Sequence, residues 1–132
     1  MVGLTAMTHK TPLTGIVLFA HGSRDPLWHK PIEAVAAHIA SLAPQTPVAC
    51  AYLELSTPDL ATAVGTLVEA GLRTIAIIPL FLGVGRHARE DLPVLVAQLR
   101  QHYPEVQFTL NPAVGEDPRL IQLLAHIAIE SL

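Results

Sequence analysis

The sequence predicts an α/β fold built on a parallel sheet, and three observations support this prediction. Short, wholly apolar runs alternate with longer segments in which apolar residues recur every three or four positions. The apolar runs have no polar face, which is typical of strands covered on both sides inside a parallel sheet. The longer segments have the period of amphipathic helices. Four such pairs in succession favour right-handed crossovers with helices on both faces of the sheet.

Four segments are predicted to be strands. Two are apolar throughout, over 16–20 and 48–53, and a third, over 73–80, has an apolar run from Ile75 to Ile78. The fourth, over 105–111, alternates apolar and polar residues, which is typical of an edge strand. For a chain of this size we expect three layers and the flavodoxin-like strand order 2-1-3-4. In that order the ligand-binding switch point lies between the first and third strands.

Four helices are predicted between and after these strands. They cover about 31–42, 58–70, 91–102 and the segment from 117 onwards, and a glycine-containing loop over 81–90 precedes the third. Pro93 is expected in the first turn of the third helix, where its missing N–H costs nothing. Each helix is expected to carry one apolar face, and those of the second and third helices are expected to face inwards. These faces are, in chain order, Ile32, Val35, Ala36, Ile39 and Leu42; Leu60, Val64, Leu67 and Val68; Leu92, Leu95, Val96 and Leu99; and Leu120, Leu123, Leu124 and Ile127.

Length and composition limit the class of protein. The 132 residues fit one domain, which we expect over 15–132, with a flexible extension over 1–14. The net charge of −3 gives no basic surface for nucleic acid. No apolar run reaches the roughly 20 residues of a membrane span, and 1–14 lacks the apolar region of a secretory signal.

Two further features concern environment and assembly. Cys50 is the single cysteine, so no internal disulfide is possible, which fits a reducing cytoplasm. Only 14% of the residues are charged, against roughly 25% in typical domains. A chain this apolar is expected to bury part of its surface against a second copy.

Three chemically active residues follow the ends of the first three strands. His21 ends the first strand, Glu54 ends the second, and His87 lies in the loop after the third. Because the carboxyl ends of parallel strands meet at one edge, we expect these residues on one rim. Two imidazoles and a carboxylate suit a first-row divalent metal such as cobalt, iron or nickel that stays partly open to substrate. Each residue alone also suits a structural role: a loop hydrogen bond for His21, a helix start for Glu54, and a plain loop position for His87.

Other residues of the same edge indicate what kind of ligand could bind. Arg24, Arg86 and Arg89 predict a cationic surface for a small ligand with carboxylates or phosphates, or else are solvated loop charges. The segment Gly83, Val84 and Gly85 either lies flat beside a large planar ligand or closes a mobile loop.

Several other chemistries are excluded by missing residues. A phosphohistidine mutase would need arginine where Ala20 precedes the histidine-glycine pair, and no G-x-S-x-G nucleophile elbow is present. The glycines at 83 and 85 do not continue into G-x-G-x-x-G, because residue 88 is alanine. No phosphate-binding P-loop is present, so ATP is not implied.

Three motifs resemble one family. HGSR at 21–24, AYLELSTP at 51–58 and PLFLGVGRHAREDLP at 79–93 are similar to the short sirohydrochlorin chelatases. These are class II tetrapyrrole chelatases of cobalamin and sirohaem biosynthesis, and the resemblance covers about 15–130.

This resemblance implies a lyase-type enzyme that inserts Co2+, Fe2+ or Ni2+, as a substrate, into sirohydrochlorin in the cytoplasm without an organic cofactor. It implies that His21 and His87 hold the incoming metal and that Glu54 assists as ligand or base. Substrate contacts are then expected from Arg24, Gly83, Val84, Gly85, Arg86 and Arg89. Long members carry two facing domains, so the short form is expected to be a homodimer. Two alternatives stay open: a non-catalytic metal or tetrapyrrole carrier, and a flavodoxin-like interaction domain.

Overall fold

A four-stranded parallel sheet forms the centre of the computed structural model, which describes residues 13–132. The strand order is β2-β1-β3-β4, so the predicted order 2-1-3-4 is confirmed. The extension predicted over 1–14 falls almost wholly outside the described residues and stays a prediction. The strands are β1 (Thr14–Ala20), β2 (Val48–Tyr52), β3 (Thr74–Pro79) and β4 (Gln107–Leu110).

Helices connect the strands and follow the last one. Short 3-10 turns precede α1 and α4, at Pro26–His29 and Val114–Glu116. Among the described residues, no helix is both long and apolar enough to cross a bilayer. The helices are α1 (Lys30–Leu42), α2 (Leu60–Glu69), α3 (Arg86–His102) and α4 (Pro118–Glu130).

The start of α3 differs from the sequence prediction. The helix begins at Arg86, so the second half of the loop predicted over 81–90 is helical, and Pro93 lies inside the helix rather than in its first turn. A proline inside a helix removes one backbone hydrogen bond. Packing outweighs this cost, because Ala88 is buried against the core and holds the turns before the proline in place.

One face of the sheet carries the main hydrophobic core. The inward faces predicted for α2 and α3 are confirmed, with Val68 and Leu95 at the partly buried margin. Burying one such side chain completely contributes roughly 1.5–3 kcal/mol. The core is formed by Val17, Phe19, Ile75, Ile77 and Phe108 of the sheet, Leu60, Val64 and Leu67 of α2, and Leu92, Val96 and Leu99 of α3.

The opposite face of the sheet is only partly covered. Helix α1 contacts β1 and β2, yet none of its residues is fully buried, and Val35 and Leu42 are exposed. Within the described residues, the apolar stripe expected on α4 is not covered by the sheet of its own chain, because α4 contacts mainly the turn Val114–Glu116. Periodicity identifies the apolar face of a helix but not the surface that covers it.

The start of α2 depends on a side-chain cap. Asp59 has an extended backbone, and its Oδ1 accepts a hydrogen bond of 2.9 Å from the Thr62 N–H. Hydrogen bonds from Thr62, from its side chain first and then from its backbone, lower the pKa of Asp59. The cap is therefore strongest when the carboxyl group is ionised.

We expect Asp59→Ala to lower the free energy of unfolding by about 1 kcal/mol in urea titrations at pH 7, and Asp59→Asn to lower it less. A carboxyl whose pKa is depressed on folding contributes stability above its unfolded pKa, near 3.8, and loses it as pH falls through the folded value. The difference in unfolding free energy between the unmodified protein and Asp59→Asn should therefore become smaller below pH 3.8. If this difference in unfolding free energy did not change with pH, the ionised carboxylate would not be what strengthens the cap.

Candidate functional site

The candidate site lies at the carboxyl edge of the sheet, where β1 and β2 keep pairing beyond their last strand residues. The Leu53 N–H donates to the Ala20 carbonyl at 2.9 Å, and the Glu54 N–H donates to the His21 carbonyl at 3.0 Å. These bonds place the backbones of His21 and Glu54 side by side, as the sequence predicted for the first two strand ends.

Gly22 makes the closest backbone contact of this edge. Its φ is +100°, and a Cβ added there would lie 1.8 Å from the carbonyl oxygen of Glu54. A side chain at this position would therefore clash with backbone and would also strain the left-handed conformation. The glycine lets the HGSR loop lie directly against the segment after β2.

The loop between β2 and α2 is tightly turned. Its ends are joined by the Tyr52 N–H, which donates to the Pro58 carbonyl at 3.0 Å. Within it, Leu55 adopts φ 63°, a left-handed conformation that costs a non-glycine residue about 1–2 kcal/mol.

The His21 side chain is oriented by an aromatic contact. The imidazole lies on the Phe81 ring, with 4.5 Å between ring centroids and 39° between planes. Phe81 is buried and also packs edge-on against Phe19. His21 itself is exposed, so one face of its ring packs on Phe81 and the other face is open to a ligand.

His87 lies at the same edge, in the first turn of α3 rather than in a loop. The segment from β3 to α3 begins beside β1, since the Leu80 N–H donates to the Phe19 carbonyl at 2.7 Å. Gly85 caps the helix, and His87 is exposed at its second position. We call the exposed surface formed by His21, Glu54 and His87 the rim.

One copy does not assemble the predicted three-ligand metal site. Within residues 13–132, no group of three or more histidine, cysteine, aspartate or glutamate side chains is placed to hold a metal ion. Since β2 and β3 lie on opposite sides of β1, the strand ends that precede Glu54 and His87 are two strand spacings, about 10 Å, apart. A site made of the two histidines with open positions stays a prediction.

The predicted cationic residues lie on the segments that follow β1 and β3. Arg24, Arg86 and Arg89 are all exposed. The Arg86 Nε donates to Glu90 Oε1 at 3.0 Å, and both side chains are so exposed that this ion pair adds little stability. Arg86 can therefore exchange Glu90 for another carboxylate at small cost.

The glycines of the β3–α3 segment leave open space. A Cβ added at Gly83 or Gly85 would meet no atom within 4 Å, so no neighbour in the chain requires glycine there. Gly115, in contrast, is required, because a Cβ there would lie 1.7 Å from the Leu82 carbonyl oxygen. The Gly115 N–H also donates to the Phe81 carbonyl at 3.0 Å, which fixes the base of this segment.

His29, to which the sequence analysis gave no role, contacts the place where the loops after β1 and β2 meet. The Ser56 hydroxyl donates to the Ser23 carbonyl at 2.7 Å and accepts from the Ser23 N–H at 2.9 Å. His29 Nε2 lies 2.9 Å from the same hydroxyl oxygen. A hydroxyl that donates to the Ser23 carbonyl can accept a hydrogen bond from Nε2 in the tautomer that carries its proton there. The 27-residue separation of His29 from Ser56 hides this contact from any local pattern.

Enclosed space lies beside the rim and not on it. Two largely apolar cavities, of about 300 and 350 Å3, lie between α2 and α3 and share Leu60, Ala61 and Leu95. Neither is lined by His21 or His87. A large planar ligand on the rim would thus be covered by one copy on one side only.

A doubly flanked parallel sheet with exposed imidazoles at its carboxyl edge is typical of a domain that handles a ligand or metal there. The model of the CbiX family matches residues 15–131. The chain belongs to the CbiX family.

Relatives and solved structures agree with this family. The chain is 30% identical to the sirohydrochlorin cobaltochelatase of Methanopyrus kandleri, over 91% of this chain and 98% of that one. It is 28% identical to the sirohydrochlorin ferrochelatase of Bacillus subtilis, over 84% of this chain but 42% of that one. A crystal structure of a CbiX protein of cobalamin (vitamin B12) biosynthesis from Marinobacter aquaeolei superposes with a TM-score of 0.76 at 32% identity, covering 89% and 96% of the chains.

A longer protein shares the fold. The sirohydrochlorin chelatase SirB of Bacillus subtilis subspecies spizizenii, in complex with cobalt, superposes with a TM-score of 0.76 at 24% identity. The match covers 89% of this chain and 50% of SirB. The same unit therefore occurs as a whole protein and as about half of a longer one.

Two glycines with similar backbone conformations allow the rim contact to be tested. Gly71 has φ +99° but an added Cβ meets nothing within 4 Å, whereas Gly22 has φ +100° and the clash with Glu54. We expect Gly71→Ala to cost about 1–2 kcal/mol of unfolding free energy, for conformation alone. Gly22→Ala should cost clearly more, measured by urea denaturation. Equal costs would show that the contact with Glu54 is not tight.

Proposed function

We propose that this protein is a chelatase that inserts a divalent metal ion, Co2+ or Fe2+, into sirohydrochlorin, as the names of its relatives describe for those proteins. The observation that carries the proposal is the exposed His21 imidazole, held on Phe81 at the same edge as His87. Imidazole suits first-row divalent metals. Supply of cobalt or iron in the cell then decides between cobalamin and sirohaem synthesis.

Metal insertion exchanges two protons for one metal ion. The divalent ion gives up water or protein ligands, bonds to the four pyrrole-type nitrogens, and displaces the two protons on the inner nitrogens. His21 and His87, as neutral imidazoles, hold the ion while leaving positions for the macrocycle. Two protein ligands hold less tightly than the four of a structural site, which suits an ion that must be handed on. No electrons are transferred, so no organic cofactor is needed.

Glu54 is assigned to proton acceptance. Its backbone is joined to His21, but it starts about two strand spacings, roughly 10 Å, from the end of β3. This separation supports a role on the macrocycle side, taking a pyrrole proton, more than a place in one coordination sphere with His87.

The substrate is held by arginine side chains and by the backbone surface around Gly83 and Gly85. Arg24, Arg86 and Arg89 pair with peripheral carboxylates of the macrocycle and set its tilt. The open space beside Gly83 and Gly85 admits the edge of a planar ring.

A homodimer completes the cleft. The rim of one copy offers a single wall, and the longer relatives contain about two lengths of this chain. A second copy related by a two-fold axis would supply the opposite wall. The lone Cys50 and the net charge of −3 fit a reducing cytoplasm and a partner other than nucleic acid.

Removal of either rim imidazole tests the proposal. We expect His21→Ala and His87→Ala each to lower the rate of metal insertion more than about 100-fold, since even partners of metal ligands cost 10–100-fold when removed. The change in sirohydrochlorin absorbance under anaerobic conditions, with Co2+ or Fe2+, measures the rate. His38→Ala, at an exposed position of α1, is the control and should be unaffected. Full activity in both rim variants would contradict the proposal. If the unmodified protein bound metal and sirohydrochlorin stoichiometrically without turnover, it would be a carrier and not an enzyme.

A second test separates substrate binding from chemistry at Arg86. We expect Arg86→Ala to raise KM for sirohydrochlorin about 3- to 10-fold, as roughly 1 kcal/mol is typical of a solvated charge-assisted contact. Glu90→Gln, which frees Arg86 from its ion pair, should leave KM unchanged or lower it. Steady-state kinetics give both constants. A larger effect of Arg86→Ala on kcat than on KM would place Arg86 in the chemical step.

A further inference from the structure

His29 lies close to the rim and takes no part in the mechanism proposed above. It ends the 3-10 turn Pro26–His29, and its Nε2 atom is 2.9 Å from the hydroxyl oxygen of Ser56. Both residues are half-buried. A hydrogen bond between half-buried groups is stronger than one in open water, so this contact can fix the position of the segment that carries Ser56.

The His29 ring is held against the sheet by aromatic packing. It lies on the ring of Tyr52, with 4.9 Å between ring centroids and 37° between planes. Trp28 packs edge-on against both rings, at 6.0 Å from His29 and 6.2 Å from Tyr52. Tyr52 is the last residue of β2 and is buried. The imidazole of His29 therefore has a fixed position relative to the sheet.

The Ser56 hydroxyl joins this fixed ring to the loop after β1. Its oxygen donates to the Ser23 carbonyl at 2.7 Å and accepts from the Ser23 N–H at 2.9 Å. With the proton of His29 on Nε2, it accepts a second hydrogen bond at 2.9 Å. One bond donated and two accepted is the full capacity of a hydroxyl. Without His29, one lone pair of a half-buried hydroxyl would lose its protein partner.

Ser23 is two residues from His21, on the same loop. The inner end of this loop is joined to the segment after β2, because the Glu54 N–H donates to the His21 carbonyl at 3.0 Å. Gly22, between them, lies directly against the Glu54 carbonyl. The outer end is held only through the Ser56 hydroxyl. A loop held at both ends presents its imidazole in one orientation, which a metal site requires.

We propose that His29 is a positioning residue of the rim. Its hydrogen bond to Ser56 holds the loop that carries His21, and the rim therefore binds a divalent metal ion more tightly. His29 contacts neither the metal ion nor the macrocycle and acts only through Ser56. This role rests on the metal-holding rim given under Proposed function and adds to it a residue that is not a ligand.

Two substitutions separate the hydrogen bond of His29 from the packing of its ring. His29→Gln keeps a side-chain N–H donor, whereas His29→Phe keeps an aromatic ring on Tyr52 and loses the donor. We expect His29→Phe to weaken the binding of Co2+ about 3- to 10-fold, as is typical for the loss of one hydrogen bond. His29→Gln should bind within about 2-fold of the unmodified protein.

Isothermal titration calorimetry with Co2+ alone, without sirohydrochlorin, measures this affinity. His21→Ala reports the Co2+ that binds elsewhere on the chain, and that contribution is subtracted. Unchanged affinity in His29→Phe would overturn the positioning role. Equal losses in His29→Phe and His29→Gln would also overturn it, because the donor would then not be what matters.

A double-mutant cycle tests whether His29 acts only through Ser56. Ser56→Ala removes all three contacts of the hydroxyl and should weaken Co2+ binding more than His29→Ala does. Adding His29→Ala to Ser56→Ala should then cause no further loss, since the group on which His29 acts is already missing. Additive losses would show that His29 affects the rim by another route, against the proposal.

Amide hydrogen exchange, followed by NMR without metal or sirohydrochlorin, tests the loop itself. We expect the Ser23 N–H to exchange about 3- to 10-fold faster in His29→Phe than in the unmodified protein, and His29→Gln to restore its protection. The Gln107 N–H, which donates to the Arg73 carbonyl at the opposite edge of the sheet, is the control and should be unchanged. Equal acceleration at both amides would mean a loss of global stability and would overturn the local role.

Insertion kinetics with the same variants separate this role from the proposed function. His29→Phe should lower the rate at subsaturating Co2+ about 3- to 10-fold and leave KM for sirohydrochlorin unchanged, because flexible, solvated arginines tolerate a small shift of the loop. A protein whose Co2+ affinity depends on His29 but which inserts no metal would contradict the chelatase function and support the positioning role. A protein that inserts metal equally well with His29→Phe, at the same Co2+ affinity, would overturn the positioning role and leave the chelatase function standing.

Discussion

The contact between Gly22 and the Glu54 carbonyl is the constraint on which the rim depends. Parallel strands end at one edge, but their side chains meet there only if the following loops stay close to the sheet. The missing Cβ of Gly22 and the backbone bond from Glu54 to His21 keep the first two loops together. The hydroxyl of Ser56, bonded to Ser23 and approached by His29, holds the same loops from the other side. Flexible loops would place the imidazole of His21 in many orientations and hold a metal ion poorly.

The third strand completes this arrangement through packing rather than hydrogen bonding. Phe81 is buried between the core and the rim, and the His21 ring packs on it. The position of the His21 ring is therefore set by the packing of the core. The early start of α3, fixed by buried Ala88, turns His87 from a loop residue into a residue of a rigid helix. Rigid elements position ligands more accurately than loops do, and a loosely held ion benefits from ligands that do not move.

The two faces of the sheet differ in how completely they are packed. Helices α2 and α3 bury one face, whereas α1 leaves Ile16, Ala76 and Ile78 of the other face only partly buried and α4 presents an apolar stripe to solvent. The low fraction of charged residues, 14%, is consistent with this exposed apolar surface. A chain whose hydrophobic surface is not fully covered in the monomer gains stability by association.

The sequence by itself determined the elements, their order in the sheet, and the edge at which His21, Glu54 and His87 lie. The elements follow from local periodicity, the strand order from the flavodoxin-like pattern expected for a chain of this size, and the shared edge from the parallel arrangement of the strands. Tertiary structure alone decided the start of α3, where the burial of Ala88 outweighs Pro93. It also decided the bonding of His29 to Ser56 across 27 positions, the roughly two strand spacings between Glu54 and the end of β3, and the exposure of α4. In each case the outcome depends on contacts between distant segments, which a local pattern does not contain.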